Sequence, residues 1–140
     1  MSLAENAIRE VIERHDAFVA WFTDGSDPAV MDTMVRAFSP TMVMIDPDSA
    51  APTRHADLVA MLTGARGKRP ADFSIVIAEP EALWADENAA LITYIEHQSK
   101  GPVRTARRST ALFTRDEAAP NGVVWQHVHE TWITKGDIDA

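Results

Sequence analysis

Near residue 72 the apolar residues of this chain change their spacing, and that change limits the folds open to it. Before it, Ile8, Val11, Ile12, His15, Phe18, Val19 and Phe22 recur at three- and four-residue steps, the signature of an amphipathic helix. Ser2 and Glu5 form the spacing of a capping box ahead of this run, so the helix is expected to start there and to end near Asp24-Gly25. Asp27-Pro28 predicts a second helix start, with Asp as N-cap and Pro where its missing N–H costs nothing. Val30, Met31, Met34, Val35 and Phe38 give that helix its apolar side, and Pro40 is expected to stop it. Residues 41–46 read as a short buried strand closed by the turn Asp46-Pro47-Asp48. A third helix is expected over residues 54–62, with Gly64 as its C-cap.

After residue 72 the period is two. Residues 72–78 predict a strand, which residues 83–85 extend or follow with another. Residues 89–100, 103–115 and 123–133 predict three long strands joined by turns at Gly101-Pro102 and over residues 116–122. Long strands with hairpin-length connections make an antiparallel sheet. Helices first and strands afterwards is the α+β order rather than alternating α/β. A curved sheet wrapping three helices leaves one pocket between the layers, where small-molecule sites form.

At 140 residues the chain reads as one domain, and 46% hydrophobic with 24% charged residues suits a packed core. The net charge of −8 argues against a nucleic-acid partner, which needs a cationic footprint. Two basic clusters, Arg66-Lys68-Arg69 and the stretch 100–108, do not reverse that; the second reads as a hairpin kept soluble by charge. No apolar run reaches the roughly 20 residues needed to span a bilayer. No signal peptide is expected, and the expected location is the cytoplasm. Without cysteine there is no thiolate chemistry and no Cys-ligated zinc. No nucleophile elbow, P-loop or dinucleotide fingerprint occurs.

The densest polar cluster is residues 125–132, WQHVHETW. Strict alternation puts Trp125, His127, His129 and Thr131 on one face and Gln126, Val128, Glu130 and Trp132 on the other. The first face is expected to point into the pocket. Its two imidazoles would lie roughly 6–7 Å apart along the strand. Three readings stay open for them. They are metal ligands with a third donor from Asp46, Glu96 or His97; a general base with its partner; or half-buried histidines bonded to neighbouring strands. Tyr94, Glu96 and Gln98 share a face of their strand, and Arg107 or Arg108 is in reach of Glu96 across the pair. That contact is an interstrand ion pair or a ligand-orienting one. Asp46 is a pocket-rim base or an ordinary turn residue. Trp21, Trp84, Trp125 and Trp132 are core or cavity-lining aromatics.

The chain resembles the nuclear transport factor 2-like superfamily, which includes ketosteroid isomerases and SnoaL-like polyketide cyclases, and within it the bacterial SnoaL-like proteins of unknown function. The resemblance rests on HDAFVAWF at residues 15–22, FSPTMVMIDP at 38–47, LITYIEHQ at 91–98, RRSTALF at 107–113 and the 125–132 strand. It implies three N-terminal helices packed in a cone of curved antiparallel sheet with a single pocket, homodimers formed through the outer sheet face, and no metal or organic cofactor. The related ketosteroid isomerase pairs an Asp base with a Tyr and a protonated Asp. Asp46 occupies the region of that base. The first helix has no Tyr; His15, Phe18 and Trp21 stand in that stretch, with His15 and Trp21 able to donate. The strands offer Tyr94, Glu96 and His129 where a second donor is required. The Trp125-x-x-x-His129 pattern fits the SnoaL-like group.

Two functions follow as expectations. One is a cofactor-free isomerase, cyclase or hydratase acting on a small carbonyl compound. Asp46 or His129 is then the base, with Tyr94, His127 or Arg108 polarising the oxygen and Trp21, His15, Glu96 and Thr131 lining the ligand. The other is a non-catalytic ligand-binding or dimerisation module.

Overall fold

The capping box at the N-terminus is formed in the computed structural model, which describes residues 1–138. Ser2 Oγ accepts from the Glu5 N–H at 3.1 Å, and the Ser2 N–H donates to Glu5 Oε1 at 3.2 Å. Behind it α1 runs over Leu3–Thr23. Its inward face buries Leu3, Ala7, Val11 and Trp21, but also the ionisable Glu10, Arg14 and His15. Asp27 caps α2, Pro28–Ala37, by accepting from the Ala29 N–H at 2.9 Å. The chain then passes directly into β1, Phe38–Ile45, so the strand begins three residues before the expected start and holds Pro40 within it. β2 is the short Pro52–Arg54, and α3 spans His55–Gly64 with Ala65 rather than Gly64 as its C-cap.

Four long strands follow: β3 Ser74–Ala85, β4 Ala89–Lys100, β5 Val103–Arg115 and β6 Val123–Thr134. Residues 83–85 extend β3 rather than starting another strand. The extension needs a break in register between Ala78 and Glu81, where Glu79 takes a positive φ of 51°. The β4–β5 turn uses Gly101 at φ 56°, a conformation glycine adopts without steric cost.

The six strands form one curved, unclosed sheet in the order β2-β1-β6-β5-β4-β3. Its β3–β6 meander is antiparallel, as hairpin connections require. The β1–β6 pair is parallel, which corrects the expectation of a wholly antiparallel sheet. No hairpin joins those two strands, so nothing forces them to be antiparallel. The three helices cover the concave face. Leu3, Val11, Met34, Ile92, Tyr94, Phe113 and Trp125 are buried between the layers. No helix among the described residues is long and apolar enough to cross a membrane.

One irregularity decides which residues face inward. Phe113 pairs with Trp125, but the preceding Leu112 pairs with His127, so Gln126 is an extra residue in β6. Such a bulge breaks strict alternation. Trp125, Val128, Glu130 and Trp132 therefore face the helices.

Candidate functional site

A cavity of about 1130 Å³ opens between the helices and the sheet. Its walls are largely apolar, with Phe18 and Phe22 from α1, Phe38, Met42 and Met44 from β1, and Leu58 from α3. Its sheet side is polar. Tyr94, Glu96 and Gln98 of β4, Arg107 of β5 and Glu130 of β6 meet His15 of α1 there. These positions converge because β4, β5 and β6 are adjacent, with Glu96 opposite Arg107 in register.

His15 and Glu96 form the tightest contact. His15 Nδ1 lies 2.7 Å from the Val11 carbonyl, which only accepts, and Nε2 lies 2.9 Å from Glu96 Oε1. Both ring nitrogens therefore face acceptors, an arrangement suited to the imidazolium. Burial works against that charge, but the Glu96 carboxylate outweighs it and the His15 pKa is raised. Burial likewise opposes the Glu96 charge. His15, Arg107 and the amide of Gln98, which donates to Oε2, overcome it and hold the carboxyl at about 2.

Glu130 is in the opposite condition. Burial and the nearby Glu96 charge push its pKa up to about 7, and Arg107 and His15 only partly oppose them. Arg107 Nη1 reaches Glu130 Oε2 at 3.5 Å, the outer limit of a hydrogen bond. The guanidinium carbon lies 4.7 Å from the centre of the Trp132 ring, and Nε is buried without a hydrogen-bond partner. Tyr94 is 1% exposed, its ring edge-on to His15 at 5.6 Å. Burial and the two carboxylates push its hydroxyl well above the ordinary tyrosine value, so it stays a neutral O–H donor.

The sequence-predicted residues fall into three groups. His15, Tyr94 and Glu96 meet at the polar end of the cavity. Asp46 lies at its mouth, just beyond β1, and caps a turn. It accepts from the N–H groups of Asp48 and Ser49, both at 2.8 Å, and from Ser49 Oγ at 2.6 Å. Slight burial raises its pKa, but these bonds outweigh it and the net shift is downward, the wrong direction for a base. Trp21 is buried away from the cavity, donating its indole N–H to the Leu62 carbonyl at 2.7 Å, with Arg66 over its ring. It fastens α3 to α1.

Arg108, His127, His129 and Thr131 lie on the outer side of the sheet, around a shallow depression of about 400 Å³. This corrects the expectation that the His127 face points inward; the Gln126 bulge reverses it. His127 Nδ1 is bonded to the Val43 carbonyl at 2.7 Å, tying β6 to β1. The two imidazole centres are 6.3 Å apart, the separation the strand spacing implies. Glu96 is on the other face, and among the described residues no three His, Cys, Asp or Glu side chains are placed to hold a metal ion.

Sequence reasoning passed over Glu130; it left Arg107 and Arg108 both open as the partner of Glu96 and named Arg108 alone as the cation that polarises the ligand. The signal for Arg107 was present: it alternates with Ser109, Ala111 and Phe113, the smaller and more apolar face of β5. A second buried network was also unseen. Glu10 accepts both Arg14 Nε and Nη2 at 2.7 Å, Trp125 Nε1 at 2.8 Å and Asn121 Nδ2 at 3.0 Å, joining α1 to β6 and the loop before it.

No family model matches the chain, and no curated protein resembles it in sequence. Solved structures do resemble it. An NTF-2 like protein of unknown function from Pseudomonas aeruginosa is 25% identical with a TM-score of 0.82, covering 91% of this chain and 98% of its own. A CaMKII hub from S. rosetta is 14% identical with a TM-score of 0.74, covering 94% and 98%. A candidate ketosteroid isomerase from Parabacteroides distasonis is 15% identical with a TM-score of 0.62, covering 88% and 85%.

Proposed function

We propose that this chain, by its fold a member of the nuclear transport factor 2-like superfamily, moves a proton on a small carbonyl compound bound in the cavity, with Glu130 as the group that takes and returns it. The observation that carries this reading is Glu130 itself: a carboxyl buried at the polar end of a large apolar cavity, with one long contact to Arg107. A base works best when its pKa lies near the operating pH, and burial beside Glu96 moves Glu130 there. Asp46 and His129, the bases expected from sequence, lie at the mouth and on the outer face. In the proposed reaction Glu130 accepts a proton from the carbon beside the carbonyl. The charge that develops on the oxygen is met by the Tyr94 O–H, a fixed donor at the buried end of the cavity, and by the field of the nearby Arg107 cation. Glu130 then returns the proton to a different carbon for isomerisation, or to the same one for exchange. His15 and Glu96 engage each other and set the field around Glu130.

Proton exchange tests this without knowledge of the net reaction. Small ketones and oxo acids are incubated with the protein in D2O, and loss of the α-proton signal is followed by NMR. Exchange by the wild type is expected to fall by roughly 10²–10⁴-fold in Glu130→Gln and to persist in Asp46→Asn and His129→Ala. Exchange that survives Glu130→Gln overturns the assignment.

A second reading, a homodimeric non-catalytic module, is favoured by the likeness to the CaMKII hub and to the association domain of C. elegans CaMKII. It is also favoured by the exposed Val76, Leu83 and Trp84 of β3 and Ile133 of β6, each more than half accessible. Sedimentation that finds a dimer, together with no exchange on any compound, supports it.

A further inference from the structure

We propose that the compound bound in the cavity is an oxo acid, whose carboxylate pairs with the Arg107 guanidinium while its carbonyl carbon chain lies against Glu130. This rests on the preceding reading and names its substrate class. The argument starts from the donors at the polar end of the cavity. His15 has acceptors on both nitrogens, and Glu96 receives His15 on one oxygen and Gln98 on the other. These three groups are mutually satisfied. Arg107 is not. A guanidinium carries five N–H donors in a planar fork. Here its side chain is 14% exposed, with one contact to Glu130 at 3.5 Å and a buried Nε with no acceptor.

A buried donor without a partner is costly, and a buried cation more so. A ligand carboxylate offsets the cost of the buried cation, since its two oxygens match two N–H groups of the guanidinium. Stacking on Trp132 at 4.7 Å fixes the plane of the fork, so the edge is preorganised rather than sampled. Nε is covered by protein atoms, so a ligand carboxylate meets the guanidinium at its terminal nitrogens, beside the contact of Nη1 to Glu130. A carboxylate there sits on the same planar cation as the proposed base. The carbon between the ligand's two oxygen functions is thereby brought toward Glu130. Phe18, Phe22, Phe38 and Leu58 offer only apolar contact to the remainder of the molecule, so its body is expected to be hydrocarbon. Lys135, another cation along the cavity, is at the mouth and paired with Asp48 at 3.3 Å.

The test compares acids with their own esters. The probes are 4-oxopentanoate and 4-oxo-4-phenylbutanoate, each beside its methyl ester, with binding measured by calorimetry and exchange measured in D2O. Wild type is expected to bind each acid at least tenfold tighter than its ester, and the phenyl acid tighter than the smaller one. Arg107→Gln is expected to abolish the acid preference, Arg107→Lys to restore part of it, and Arg108→Gln, on the outer face, to leave it intact. Esters bound as tightly as acids, an acid preference that survives Arg107→Gln, or no binding of either acid at millimolar concentration overturns the proposal. The acid–ester comparison needs only the wild type, so a variant that fails to fold does not shield it. Acid preference without Glu130-dependent exchange upholds the ligand class and removes the catalytic reading. Glu130-dependent exchange without acid preference does the reverse.

Discussion

Three neighbouring pairs place one residue on each side of the same sheet: Glu96 and His97 on β4, Arg107 and Arg108 on β5, and Glu130 and His129 on β6. Each face carries two titratable groups and an arginine, yet the surroundings differ. Inside, Glu96 and Glu130 are buried within one field, and one is held ionised while the other is pushed toward neutrality. Outside, His97 and His129 are exposed. The comparison teaches that burial on the inner side of the sheet decides which of these groups belong to the site, and that their neighbours there decide the charge each one holds. A bulge that reverses the faces of β6 therefore selects the functional residues.

The sharpest way to break the comparison is to truncate one β4 pair. Glu96→Ala leaves His15 buried without its acceptor and removes one of the counter-charges of Arg107. Breaking a buried ion pair from one side costs about 3–5 kcal/mol. His97→Ala, one residue away, is expected to change stability by less than about 0.5 kcal/mol. Guanidinium unfolding of the two variants measures the difference. Equal effects would mean that the His15–Glu96 contact contributes nothing beyond packing. The same pair sets an acid limit. The folded Glu96 pKa of about 2 lies below its ordinary 4.5, so its contribution is present above pH 4.5 and is lost as the pH falls toward 2.

Glu130 gives the next largest effect, with the opposite sign. Its folded pKa of about 7 lies above the ordinary 4.5, so the folded protein holds this proton more tightly than the unfolded chain. Its contribution is fully present below pH 4.5 and is lost as the pH rises through 7. That interval corresponds to about 3 kcal/mol. Glu130→Gln keeps the shape and never ionises, so it escapes the loss. Its stability relative to wild type is expected to be about 3 kcal/mol more favourable at pH 8 than at pH 4. Unfolding curves at the two pH values measure this, and a relative stability that does not change with pH removes Glu130 from the field of Glu96.

The helices and most strand bounds were legible because capping residues and apolar spacing are local signals. Ser2, Glu5, Asp27 and Pro28 act on their own backbone neighbours, and the structure uses each as the spacing implied. The parallel pairing of β1 with β6 was not legible, since it joins residues more than eighty positions apart with no turn between them. The candidate site was half legible for the same reason. Tyr94 and Glu96 follow from simple alternation along an unbroken strand. Glu130 does not, because the register of β6 slips at Gln126, and nothing in residues 123–134 shows the slip until Phe113 is placed opposite Trp125. Asp46 reads identically as a turn cap and as a base until its partners Asp48 and Ser49 are placed around it.

The smallest effect separates the two outer histidines from each other and shows that the outer face is not uniform. His127 donates from Nδ1 to the Val43 carbonyl and so holds the parallel junction of β1 with β6. His129 is exposed beside it. Losing one net hydrogen bond costs about 0.5–1.5 kcal/mol. His127→Ala is therefore expected to lower stability by about 1 kcal/mol and His129→Ala by less than about 0.5 kcal/mol. Neither is expected to alter the acid-over-ester preference of the cavity, because both side chains lie across the sheet from Arg107. Thermal melts of the free protein and with 4-oxo-4-phenylbutanoate or its methyl ester read both quantities at once. A ligand-dependent shift that disappears in His129→Ala alone would move the binding site to the outer depression and reverse the comparison between the two faces.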